Sequence, residues 1–494
     1  MGIKSFKDPK DQKEQVTDNQ GEVSPPKAVK GVVGTVVTAI VCYIIYQLLP
    51  LADASAAADA ATQGSFVLTE QAAKGLILLL FIGTLWLAEF VHITITALLV
   101  PVVAIFLGVP ENITTKSALT TFSDPIIFLF FGGFALATAL HVQKLDRKIA
   151  LFMMRLSKGH MGLTIVMLFG VTAALSMWVS NTATAAMMLP LALGVLGNLD
   201  AQKERGTFLF VLLGIAYSAS IGGLGTMVGS PPNAIASRAL DYSFFDWLKV
   251  GIPMMLLLMP VMFGVLYVVF RPKLNHRVEV INEDIPWTSG RIATAIIFVC
   301  TAGAWIAGGW LGSTFGISAP DTYVALTCAV SIVLLGVASW RQIADNTDWG
   351  VLILFGGGLA LSGILGSSGA SKILGETVAS VFGSSPKLMI IVVVLVFILI
   401  LTEFTSNTAS AALLVPVFAT VSEAVGMPKE VLVLMIGLGA SCAFMLPIAT
   451  PPNAIVFGTG YIRQREMMKA GALLNVCCIL ILTAYGYLLM KFLL

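Results

Sequence analysis

The sequence predicts an all-α polytopic membrane protein, with eleven transmembrane helices plus two opposed re-entrant hairpins in an inverted-topology repeat. Three observations carry this expectation. The 494 residues are 57% hydrophobic and 11% charged, with a mean hydropathy of +0.91, far outside the range of a soluble domain. One polar cluster occurs twice inside apolar stretches, as Ser180-Asn181-Thr182-Ala183-Thr184-Ala185-Ala186 before Pro190 and as Ser406-Asn407-Thr408-Ala409-Ser410-Ala411-Ala412 before Pro416. Each copy is followed by a second shared element, Ser230-Pro231-Pro232-Asn233-Ala234-Ile235 and Thr450-Pro451-Pro452-Asn453-Ala454-Ile455.

Residues 1–30 are hydrophilic, mixed in charge and include Pro25-Pro26, so they are expected as a disordered cytoplasmic tail. The first apolar run, 32–50, lacks the small-residue cleavage site of a removable leader and reads as a retained membrane helix. Runs at 74–91, 93–109 and 126–150 each have about the twenty residues that span a bilayer. The stretch 161–199 is too long for one crossing and holds the first polar cluster at its middle. A turn at the far surface would bring charges or a loop, whereas this one has only small polar residues. The expected structure is a hairpin whose tip stops inside the protein, where irregular backbone lines a cavity. Next, 207–240 is interrupted by Gly222-Gly223, Gly225 and Pro231-Pro232, which predicts two half-helices joined by an unwound linker. A helix at 250–271 and a cytoplasmic connector at 272–290 close the first half.

The second half repeats this order. Helices are expected at 291–312, 321–339 and 349–366, a hairpin at 387–425, a segment broken by Pro447 and Pro451-Pro452 at 430–458, and a last helix at 467–490. Phe131-Gly132-Gly133 recurs as Phe355-Gly356-Gly357 ahead of each hairpin and reads as a close-packing device. With the N-terminus in the cytoplasm, most of the 29 Lys and Arg residues flank cytoplasmic helix ends. Five crossings then separate the hairpins, an odd number, so the second half is inverted relative to the first. The expected localisation is the plasma (inner) membrane, as a multi-pass protein in the lipid bilayer.

A net charge of +2 offers no global field for nucleic acid. The six cysteines, at 42, 300, 328, 442, 477 and 478, have no metal or disulfide spacing and read as small hydrophobes. Trp178, Trp305 and Trp310 are expected to pack within helices. Duplicated polar residues and helix breakers at matching places in two halves of a membrane protein point to a transport site. No Lys, Arg or His occurs within 161–199, 206–237, 388–428 or 430–462. An anion bound there must be held by hydroxyls, amides and the N-termini of half-helices. Dipoles fall short of neutralising a multiply charged anion, so co-bound cations are expected to balance it. The same absence argues against a hydrolase built on Ser180 or Ser406, which would need a base; no enzyme is expected. Two dead-end hairpins suit an occluded site better than a passive pore. Glu403 has two readings, an electrostatic support for a cation or proton site and a structural partner of a neighbouring hydroxyl or amide.

At these clusters the sequence resembles the divalent anion:sodium symporter (DASS) family, also called solute carrier family 13, over about residues 74–494. The resemblance implies an elevator-type homodimer that transports C4 and C5 dicarboxylates such as succinate, malate, fumarate and 2-oxoglutarate. It implies a scaffold from 31–156 and 291–366, a boundary helix at 250–271, and a transport domain from 157–249 and 386–494. Substrate contacts would come from Ser180, Asn181, Thr182, Ser406, Asn407 and Thr408, with Thr450 and Pro451 nearby. One sodium site would use Ser176, Ser180, Asn181 and the Gly229 backbone, and the other Thr402, Thr405, Asn407 and the Ala449 backbone. Thr405 stands where the family commonly has alanine. Sodium is thus the implied coupling ion, with no organic cofactor; a sodium-independent dicarboxylate exchanger of the same family is the alternative.

Overall fold

The computed structural model describes residues 25–51, 68–197, 199–277, 283–382 and 385–493. Residues 1–24 of the expected tail lie outside that set. Among the described residues the architecture is helical throughout, and the β contact is one bridge between His160 and Arg277.

Helix α1 (Pro25–Leu48) starts inside the segment expected as tail, so residues 25–30 are helix. Two leading prolines forfeit no intrahelical bond, because the first N–H groups of a helix have no partner in any case. Helices α2 (Glu70–Ala88) and α3 (Ile93–Leu107) pack together, and a short α4 (Thr115–Leu119) leads through a 3-10 turn to α5 (Pro125–Val142). Asp124 caps α5 by accepting from the Ile126 N–H at 3.0 Å. The expected span 126–150 is not one helix. It breaks at Lys144, where φ is +55°, and α6 (Leu145–Leu156) follows as a separate amphipathic helix. Arg147, Lys148 and Arg155 forbid that stretch an apolar passage, whereas Leu145, Leu151 and Met154 are buried, together with Asp146, which lies 3.2 Å from His141 Nδ1.

The first hairpin is α7 (Met161–Ser176) and α8 (Asn181–Leu196), and the first broken segment is α9 (Arg205–Gly223) and α10 (Pro231–Ala239). After α11 (Phe244–Phe270) and the connector come α12 (Ser289–Ile306), α13 (Gly308–Phe315) and α14 (Pro320–Leu334), the last two bent by 99°. Trp310, on α13, is largely exposed, which corrects the expectation that it packs. Short α15 (Trp340–Asn346), then α16 (Trp349–Ser367) and α17 (Ala370–Phe382), precede the second hairpin, α18 (Lys387–Phe404) and α19 (Asn407–Ala424). The second broken segment is α20 (Lys429–Ala440) and α21 (Pro451–Phe457), and α22 (Gln464–Leu493) ends the described chain.

By length and composition, nine described helices, or ten with the bent pair taken as one span, are able to cross a membrane. The eleven expected crossings add α3, of 15 residues, and the broken α20–α21, while leaving out α18 as a hairpin arm.

The two broken segments form the centre. Every residue of α9 from Thr207 to Gly223 is buried, as is every residue of α20 from Val431 to Ala440. Helices apolar on all sides end up there because no face of them prefers water. Their surroundings match: α9 packs against α7, α8, α11 and α21, and α20 against α18, α19, α22 and α10. Outside this core, α5 pairs with α14 and α16 with α3. The repeated glycines permit both approaches, since a Cβ on Gly132 would lie 2.5 Å from Ala325 and one on Gly357 2.6 Å from Ala97.

The connector is fastened at both ends. Lys273 pairs with Glu204 at 3.0 Å and the His276 carbonyl accepts from Met161 N–H, which holds it to α9 and α7. Beyond residues 278–282, Glu283 pairs with Arg147 at 2.5 Å and Arg291 donates to the Gln143 carbonyl, which holds it to α6 and α5.

Candidate binding site at the paired hairpins

In the first hairpin, α7 ends at Ser176, residues 177–180 turn, and Ser180 caps α8 by accepting from Ala183 N–H at 3.3 Å. Serine is favoured there because its oxygen satisfies an orphan donor of the first turn. Across the turn, Ser176 Oγ donates to Asn181 Oδ1 at 2.6 Å. The linker after α9 lies directly beside this pair: a Cβ on Gly223 would fall 2.5 Å from Asn181 Oδ1, and one on Gly229 would fall 3.0 Å from the Ser176 carbonyl. Asn233, on α10, grips the linker by donating to the carbonyls of Gly223 at 2.8 Å and Thr226 at 2.7 Å. Thr226 Oγ1 donates to the Met177 carbonyl and accepts from Gly229 N–H, tying linker to turn.

The second hairpin repeats this construction. Ser406 caps α19 by accepting from Ala409 N–H. Thr402 Oγ1 donates to Asn407 Oδ1 at 2.5 Å, with the same spacing along the chain as Ser176 and Asn181. The same hydroxyl lies 2.7 Å from the Ala440 carbonyl. A hydroxyl has one proton, so it serves one of these two oxygens at a time. Asn453, at the position matching Asn233, donates to the carbonyls of Ala443 at 3.1 Å and Leu446 at 3.0 Å, and Thr450 caps α21 by accepting from Asn453 N–H. Thr405 Oγ1 bonds the Leu401 carbonyl at 3.0 Å and Ser410 Oγ at 2.7 Å, so its hydroxyl fastens the hairpin.

The halves interlock. Helix α8 packs on α21, and α19 packs on α10. Ser230 Oγ meets Ser441 Oγ at 3.1 Å, one from each broken segment, and Tyr217 on α9 donates to the Phe444 carbonyl at 2.7 Å. They differ in cover. The return arm α19 is covered by α2, α16 and α17, whereas Ser180, Thr182, Ala183, Ala186 and Pro190 of the first hairpin are exposed.

Of the residues expected from sequence, Ser176, Gly229, Thr402, Thr405, Ala449 and Thr450 are buried, and Asn181, Ser406, Asn407 and Thr408 are partly buried. Pro451 is exposed at the first turn of α21. Ser176 and Asn181 meet one another, as do Thr402 and Asn407. Sequence reasoning passed over Asn233 and Asn453 as linker clamps, although both sit in the repeated Pro-Pro-Asn element. Trp178 and Trp305 pack as expected: Trp178, in the hairpin turn, stacks on Trp305 at 6.1 Å and 7° and on Phe244, seating the first hairpin tip against α12 and α11. Asn475, which donates to Glu403 at 2.9 Å, carries no signal in the sequence at all.

Two hairpins and two broken helices of matching construction, with hydroxyl, amide and carbonyl oxygens at their turns, define an integral multi-pass membrane transporter. Residues 35–494 match the family described as the sodium:sulfate symporter transmembrane region, and the chain belongs to that family, the DASS group of transporters; it is not an enzyme. It is 55% identical over 426 residues to an uncharacterized transporter of Haemophilus influenzae, covering 85% of this chain and 92% of that one. It is 33% identical over 456 residues to a sodium-dependent dicarboxylate transporter, SdcS, of Staphylococcus saprophyticus, covering 85% and 87%. In fold it is similar to the YdaH transporter of Alcanivorax borkumensis, with a TM-score of 0.57 at 15% identity over 81% of this chain and 99% of that one.

Proposed function

We propose that the chain is a sodium-coupled symporter of C4 and C5 dicarboxylates. The observation that carries this reading is the repeated hydroxyl–amide pair, Ser176 with Asn181 beside the glycines of the first linker and Thr402 with Asn407 against the Ala440 carbonyl. Sodium takes hydroxyl, amide and carbonyl oxygens, and these are the groups assembled there. Ser176, Ser180, Asn181 and Gly229 would hold one ion and Thr402, Thr405, Asn407 and Ala449 the other. The substrate carboxylates would meet Ser180, Asn181, Thr182, Ser406, Asn407 and Thr408, near Thr450 and Pro451, beside helix N-termini that favour negative charge. The similarity to a sodium-dependent dicarboxylate transporter supports this choice of ion and substrate.

In this reading the N-terminus is cytoplasmic in the plasma membrane, eleven crossings are made, and two copies associate through a scaffold of 31–156 and 291–366. The elements 157–249 and 386–494 carry the substrate past it as an elevator, with 250–271 at their boundary. Sodium-gradient-driven accumulation of succinate in empty proteoliposomes is the expected result. Uptake confined to vesicles preloaded with dicarboxylate, and indifferent to sodium, would establish the exchanger instead.

A further inference from the structure

The two linkers are not built alike. In the first, the N–H groups of Leu224 and Gly225 are satisfied by the chain itself, bonding the carbonyls of Ile221 at 3.1 Å and Gly222 at 2.9 Å. In the second, the matching N–H groups leave the chain. Phe444 N–H donates to Glu403 Oε1 at 2.9 Å, Met445 N–H to both carboxylate oxygens at 2.9 and 3.1 Å, and Leu446 N–H to Oε2 at 3.0 Å. Asn475 Nδ2 adds a donor at 2.9 Å, and Glu403 is 2% exposed. Glu403 thus holds the linker by its N–H side while Asn453 holds it by its carbonyls.

The repeat shows what has been exchanged. Glu403 follows Thr402 as Met177 follows Ser176. Asn475 lies four residues after Gly471, which abuts the Phe444 carbonyl, and Met255 lies four residues after Gly251, which abuts the Leu224 carbonyl. Two methionines in the first half therefore stand where the second has a carboxylate and its amide partner. All the carboxylate's partners are N–H donors and none is charged, so its negative charge is ordered but not cancelled. Its neighbour along the chain is Thr402, whose hydroxyl lies against Asn407 Oδ1 and the Ala440 carbonyl, oxygens of the kind that accept a cation.

We propose that Glu403 is a positioning residue that makes the two cation sites unequal: it pins the second linker open and charges the second site, so that this site takes its cation at lower concentration than the first. The inference rests on the sodium reading above. The test is hydrogen exchange on the full chain in lipid nanodiscs, following peptides over 221–229 and 441–449, in choline chloride and across a sodium chloride titration at constant ionic strength. In choline, Glu403→Gln is expected to speed exchange at 444–446 at least tenfold and to leave 224–226 within twofold. In wild type, sodium should protect the second linker at lower concentration than the first. Glu403→Gln should raise that concentration at least tenfold for the second linker only. Unchanged exchange at 444–446 in choline would overturn the clamp, and equal sodium midpoints in wild type would overturn the inequality. Sodium that protects neither wild-type linker would overturn the inequality together with sodium coupling, while the choline comparison still decides the clamp by itself. Should Glu403→Gln fail to fold, Asn475→Leu, which removes one donor and keeps the charge, is expected to speed exchange at 444–446 about threefold. No change in that variant would overturn the proposal.

Discussion

The first linker closes on itself, and the second is stretched between a carboxylate and an amide. Both follow a fully buried half-helix, both end at Pro-Pro-Asn whose asparagine grips two linker carbonyls, and both lie beside a hydroxyl–amide pair on the neighbouring hairpin. What differs is the side chain that answers the linker's N–H groups. A duplicated frame can therefore be tuned in one half by changing two side chains, with the backbone plan intact. The same asymmetry appears at the hairpins, where α19 is walled by α2, α16 and α17 and the first tip rests on an aromatic stack.

The most direct way to break the equivalence of the halves is to remove one amide at a time. Asn181→Ala and Asn407→Ala are each expected to cut sodium-driven succinate uptake by roughly 100-fold, with the protein still monodisperse in detergent, because each deletes a hydrogen-bonding group at a site for charge. Near-wild-type uptake in either variant would show that one half suffices. The linker clamps sharpen the contrast. Asn233→Ala leaves the buried carbonyls of Gly223 and Thr226 without their donor, whereas Asn453→Ala strips that of Ala443 alone, because the Leu446 carbonyl keeps Ala449 N–H; the loss is about 1–3 kcal/mol per orphaned group. Asn233→Ala is therefore expected to lower the thermal midpoint more, since it orphans two buried carbonyls and Asn453→Ala orphans one; a larger drop in Asn453→Ala would show that the linker held by Glu403 leans harder on its amide.

The scaffold pairs should instead respond alike. Gly132→Val and Gly357→Val force a side chain into Ala325 and Ala97, at about 1–3 kcal/mol each, and similar drops in thermal midpoint are expected. The smallest effect belongs to Thr405→Ala. It gives up one hydroxyl pair with Ser410, worth about 0.5–1.5 kcal/mol, and should leave the succinate concentration for half-maximal uptake within about twofold. A large shift would make that hydroxyl a ligand.

Much of the frame was legible because it is written in helix breakers and apolar length. Gly222-Gly223, Pro231-Pro232, Pro447 and Pro451-Pro452 lie where the central helices end or restart, and the Ser-Asn-Thr clusters lie at the hairpin turns because serine caps a helix wherever it precedes one. Boundaries set by charge on one face were harder. The run 126–150 looked continuous, yet its last third carries Lys144, Arg147 and Lys148, breaks at Lys144 and continues as the amphipathic α6. The pairing of Glu403 with Asn475 was out of reach for a different reason. The two are brought together only by the packing of α18 on α22, and a polar residue inside a long apolar helix does not announce its partner.

The hydroxyl pair between Ser230 and Ser441 makes the two broken segments neighbours in a literal sense, with a single hydrogen shared at 3.1 Å in a dry interior. Such a bond does not titrate across the physiological range, and burial shields it from salt. A shift of backbone in one broken segment therefore bears directly on the other, through a contact that neither the pH nor the ionic strength of the surrounding water weakens.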